Sequence, residues 1–158
     1  MTTAQDIAPI YRRDLTRLSQ QIEAFPNDET LWRTLPGITN PAGNLVLHLE
    51  GNLREYISRQ LGKLPYTRVR DLEFSTKGLT KETLLLRIAE LGRTVPRVIE
   101  GLTLTQMDSQ YPEQVLGVPM STRQFVIHLS GHMNWHLGQI DYVRRAVTGH
   151  GAIKLAGL

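Results

Sequence analysis

Phe125-Val126-Ile127-His128-Leu129-Ser130-Gly131-His132-Met133-Asn134-Trp135-His136-Leu137-Gly138-Gln139-Ile140 holds three of the chain's five histidines, at i, i+4 and i+8. A helix turns about 100° per residue, so this spacing lines the imidazoles along one stripe about 80° wide. Phe125, Leu129 and Val143 share that sector, and the stripe is expected in the middle of the helix's apolar face. A buried imidazole needs partners for both ring nitrogens, and three stacked imidazoles need many polar neighbours or a cation. Two histidines at i, i+4 reach one metal ion, and a ligand from another helix completes such a site. The competing reading is a set of packed or pocket-lining histidines with ordinary hydrogen bonds, and spacing alone leaves both open. Met133 stands where a zinc protease of the HExxH type carries its general-base glutamate, so that chemistry is excluded.

Working outward, this helix is expected to start at Ser121 or Thr122, run to about Thr148 and close at Gly149. Three other segments have helical periodicity. The first runs from Ala4 to Ala24 on Ile7, Tyr11, Leu15, Leu18 and Ile22, and ends at Pro26-Asn27. The second opens at Asn40-Pro41, with Asn40 as N-cap, and passes through Leu45, Leu49, Leu53 and Ile57 to stop before Gly62. His48 lies at the margin of its apolar stripe and, by position alone, reads as a boundary residue. The third follows Thr80 as a lone cap, and Pro96 predicts a kink or an end near Val95. Leu31, Trp32 and Leu35 place the first connection against the bundle, residues 102–119 read as irregular, and the tail from Ala152 is expected to fray. The sum is an all-α four-helix bundle with long connecting loops, one domain over residues 1–150 and a C-terminal tail over 151–158. Loops of this length often cover one end of a bundle and shape a pocket there.

Composition narrows the function. With 18 basic against 15 acidic residues and scattered arginines, nothing marks a nucleic-acid partner. No apolar run reaches the roughly 18 residues of a membrane span, and the first residues lack a signal-peptide pattern. The absence of cysteine excludes a thiolate nucleophile or Cys-type zinc site and fits a reducing, cytoplasmic setting.

The segments His48-Leu49-Glu50-Gly51-Asn52-Leu53-Arg54 and His132-Met133-Asn134-Trp135-His136-Leu137-Gly138-Gln139-Ile140 resemble the DinB/YfiT-like superfamily, metal-binding four-helix bundles with one histidine on the second helix and H-x-x-x-H-x-G-Q near the last. Arg68-Val69-Arg70-Asp71-Leu72-Glu73-Phe74 resembles a loop seen in part of that superfamily. The resemblance implies His48, His132 and His136 as ligands of one divalent ion (zinc, nickel or iron) in an open site. His128 lies outside that triad and is expected to line the pocket or contact a ligand. Asn52, at i+4 from His48, and Gln139, at i+3 from His136, are expected to orient ligands or substrate. Many members resemble transferases that use an external low-molecular-weight thiol. The alternatives are a metal-dependent hydrolase of a small substrate, for which Glu55 is the candidate base, and a non-enzymatic, stress-related metal-binding bundle. The expected partners are a small-molecule substrate, a thiol and a second copy of the chain.

Overall fold

A computed structural model describes residues 3–158. Its helices are α1 (Thr3–Glu23), α2 (Asp28–Leu31), α3 (Ala42–Leu53), α4 (Arg70–Ser75), α5 (Lys81–Glu100), α6 (Leu104–Asp108) and α7 (Thr122–Thr148), and a π-helical segment, Arg54–Arg59, prolongs α3. Among the described residues the only β-pairings are two isolated bridges, Leu35 with Ile38 and Gln110 with Ser121. Among the described residues no helix is long and apolar enough to cross a membrane.

The four long helices form a ring in which α1 and α3 each pack against both α5 and α7. Cross-helix bonds give the directions. Tyr11 donates to the Val126 carbonyl, Asn134 to Asp14 and Gln21 to Asp141, so α1 and α7 run parallel. Arg54 pairs with Glu90 and Arg87 with Glu50, so α3 and α5 also run parallel. Arg12 meets Glu100 while Lys81 reaches the Phe25 carbonyl, so α1 and α5 are antiparallel. This geometry explains the long connections. Helices α1 and α3 sit diagonally, as do α5 and α7, while parallel neighbours α3 and α5 need an overhand crossover along their full length. That crossover carries α4 across the outside of α3.

The caps are local chemistry. Ser121 and Gln124 form a capping box at α7, Thr103 and Gln106 form one at α6, and Thr80 accepts from the Thr83 amide at α5. Gly149 closes α7 in the left-handed region at φ 71°. Three expectations need correction. The residue preceding α3 is Pro41, whose carbonyl accepts from the Asn44 and Leu45 amides, so Asn40 does not cap it. Of the two outcomes expected at Pro96, an end near Val95 does not occur: helix α5 continues to Glu100, because Val95, Pro96 and Ile99 are all buried and core packing outweighs one missing amide donor. The tail is tied rather than frayed: Arg17 donates to the Ala156 carbonyl at 2.7 Å, the Ala156 amide to Gln20 at 2.8 Å, and Arg144 to the Gly151 carbonyl at 3.0 Å.

Arg144 is 0% exposed in the core. Its Nε donates to Gln21 at 2.7 Å and its Nη2 to Asp141 at 3.0 Å. Arg144→Ala removes this hub and leaves Gln21 facing a cavity. The expected cost is about 3–5 kcal/mol, as for breaking a buried ion pair. The thermal midpoint should fall by roughly 10 °C for a chain of this size. A calorimetric change under about 1 kcal/mol would contradict the assignment of Arg144 as a structural hub.

Candidate metal centre

Helices α3 and α7 run antiparallel: Leu45 and Val143 line one groove, and the rings of Tyr56 and Phe125 meet at 5.4 Å further along. Between those levels His48 faces His132 and His136. The Nε2 of His132 lies 3.2 Å from that of His48 and 3.1 Å from that of His136. One ligand nitrogen from each residue can be chosen so that all three lie within 4.8 Å of one another. Two imidazoles bound to zinc at 2.0–2.1 Å in a tetrahedral arrangement have nitrogens about 3.3–3.4 Å apart, so the cluster is near ligand geometry.

The outer ring nitrogens explain why the inner ones converge. His48 Nδ1 is 2.9 Å from Glu73 Oε2, and His136 Nδ1 is 2.7 Å from Gln139 Oε1. Both partners accept, so each Nδ1 carries the proton and each Nε2 presents a lone pair inward. A proton on His132 Nε2 would have to be shared between them, while His132 Nδ1 is itself buried with no partner. Three facing imidazole nitrogens with one orphaned neighbour fit a divalent cation better than a hydrogen-bonded cluster.

Glu73 is the residue that sequence reading missed. It comes from α4, is buried, and receives two bonds from Arg68, 2.6 Å to Oε1 and 2.9 Å to Oε2. Burial alone would raise its pKa, but the hydrogen bonds from Arg68 and His48 hold it below the usual carboxylate value. Asn44 anchors the end of α4 by donating to the Glu73 and Thr76 carbonyls at 2.8 and 2.9 Å. Gly51 makes the room: a Cβ there would lie 2.1 Å from Glu73 Oε1. The Phe74 ring covers His48 at 5.1 Å between centroids. The only sequence signal for this group was the Arg68–Phe74 stretch.

The other site residues divide. His48 is buried rather than marginal, because α4 covers the outer face of α3 and every residue from Ala42 to Leu53 is buried. The α7 stripe lies at the border of the core rather than in its middle: Val126, Met133 and Leu137 are buried, while His132 and His136 are half-buried. His128 is exposed and stacks on Phe125 at 6.0 Å, outside the cluster. Gln139 contacts His136 directly. Asn52 is buried with its Oδ1 unpartnered, one turn beyond His48 toward the level of Phe125. Glu55 is held by Arg59 in the π-helical segment.

A groove of about 730 Å³ opens beside the cluster between α7 and residues 35–40. His136, Gln139 and Tyr142 line one side and Leu35, Ile38 and Leu45 the other, and none of its lining residues is a carboxylate, lysine or arginine.

Burial pushes the His132 pKa down to about 4, helped by repulsion from His136 and His48, and burial also lowers His136. Unfolded histidine titrates near 6.5. Between about pH 6.5 and pH 4 the unfolded chain therefore takes up a proton that folded His132 refuses, and stability falls as pH falls through that window. Chelator-treated protein should show a urea midpoint that is steady above about pH 7 and declines toward pH 5, with a shallower decline in His132→Ala. A midpoint that rises on acidification would contradict the buried neutral imidazole.

The architecture is a DinB-like, all-α four-helix bundle. The crystal structure of a DinB-like protein from Bacillus cereus, determined at 2.01 Å resolution, matches with a TM-score of 0.71 over 96% of this chain and 95% of that one. The two sequences are 16% identical, so the likeness establishes the fold. No protein-family model matches the chain, and no curated protein matches it.

Proposed function

We propose that His48, His132 and His136 hold one divalent metal ion and that the centre serves transfer of an uncharged, low-molecular-weight thiol onto a small apolar electrophile. The observation that carries this reading is the convergence of three imidazole nitrogens whose outer nitrogens face Glu73 and Gln139. Such an ion supplies Lewis acidity and lowers the pKa of a thiol or water that reaches it. Glu73 raises the basicity of His48 and fixes its ring, and Gln139 does so for His136.

Transfer is favoured over hydrolysis because hydrolysis needs a base beside the attacking water. No carboxylate lines the groove, Glu73 is engaged by Arg68 and His48, and Glu55 by Arg59. A thiol is intrinsically far more acidic than water, so the ion can ionise it with less help from a base. With no cysteine in the chain, the sulfur comes from a cosubstrate. The thiol releases its proton to solvent, its sulfur forms a bond to the electrophilic carbon, and the leaving group departs with its electron pair. The largely apolar walls suit a small apolar electrophile and offer no cation to an anionic cosubstrate.

The test is metal analysis of purified protein, then thiol consumption against a panel of small alkyl halides and epoxides with neutral and anionic thiols. Metal-dependent turnover that prefers the neutral thiol is expected. Thiol-independent hydrolysis by the loaded protein, or a tightly held ion without turnover, would overturn the transfer reading in favour of a hydrolase or a non-enzymatic bundle.

A further inference from the structure

Helix α7 has a second face, turned away from the core. Ile127, Trp135 and Tyr142 on it are 53%, 69% and 72% exposed. Gly131 and Gly138 lie between them, and a Cβ on either would meet nothing within 4 Å. Trp135 and Tyr142 are seven residues apart, and so are the two glycines. A seven-residue alternation of large and small residues is the pattern by which one helix seats knobs in the holes of another.

We propose that this face is the dimer interface of the protein, with α7 packed antiparallel on α7 of a second copy about a two-fold axis between His136 and Leu137. In that register Trp135 falls on the second copy's Gly138, Tyr142 on its Gly131 and Ile127 on its Ala146, each contact being made twice. Three large–small pairs match in one register. A parallel arrangement sets Trp135 against Trp135 and glycine against glycine, which leaves voids. The large side chains supply area as well. Aromatic residues bury about 150–250 Å² each, so the two aromatics and Ile127 account for roughly half of the ~800 Å² per partner of a standard interface before the surrounding helix surface is added. Tyr142 also lines the groove beside His136, so the second copy would wall the groove's open side. The inference does not depend on what the groove binds.

Sedimentation of the full chain should give twice the 17.9 kDa protomer mass at micromolar concentrations. Dilution should red-shift the emission of Trp135 as it returns to water. Gly138→Gln fills the hole without touching the protomer, so it should keep helicity and weaken association about 30-fold or more, as losing an interface anchor does. Trp135→Gln, at a site already exposed, should do the same. A monomeric wild type, or a dimer that both variants leave intact, would overturn the proposal.

Discussion

His132→Ala is expected to lose the metal and keep the fold. The Nε2 of His132 is the one that contacts both other histidines, at 3.2 and 3.1 Å. Its removal leaves two ligands on opposing helices, and affinity should fall by more than the ~10–100-fold that loss of an outer hydrogen-bond partner costs. The core does not share this dependence. Leu15, Leu49, Leu91 and Met133 are among many side chains at most 2% exposed, and each contributes about 1.5–3 kcal/mol by burial. Circular dichroism of the variant should match wild type, and isothermal titration should show the lost affinity. A variant that unfolds would make the centre structural and remove most of the case for catalysis.

Gly51→Ala should be damaging in a way helix propensity does not predict. Alanine in a helix interior normally gains about 0.5–1 kcal/mol over glycine. Here the new methyl would overlap Glu73 Oε1 at 2.1 Å, and the carboxylate must retreat from both His48 and Arg68. Losing charge-assisted hydrogen bonds costs about 1.5–3 kcal/mol each, which outweighs the propensity gain. Net destabilisation of about 2 kcal/mol is expected, with metal affinity lowered ~10–100-fold. Gly92→Ala is the control, because its Cβ meets nothing within 4 Å and the substitution should stabilise. If Gly51→Ala behaved like Gly92→Ala, Glu73 would not be the support of His48 described above.

The long helices were legible because each repeats apolar residues at helical spacing and ends on local signals such as Ser121 and Gly149. The histidines of α7 were legible for the same reason, since residues four apart on one helix share a face. What the chain does not display locally is its handling of direction. Parallel α3 and α5 force a crossover, the crossover lays α4 on α3, and only then does Glu73 reach His48 across 25 residues of sequence. The same covering buries all of α3 and turns His48 from a boundary residue into an interior one. The helix does not end near Val95 because a local rule about one amide is set against burial of Val95 and Ile99, a tertiary term that no window around Pro96 contains. The fixed tail rests likewise on long-range bonds, from Arg17 and Gln20 to Ala156.

The most direct test of the central claim is X-ray absorption at the metal edge on protein loaded with one equivalent of zinc. Three imidazole nitrogens at 2.0–2.1 Å are predicted for the wild type, and for His132→Ala the spectrum of an ion left in solution without them. A protein that takes up no stoichiometric ion at neutral pH, or an edge spectrum with the same imidazole count after loss of His132, would contradict it.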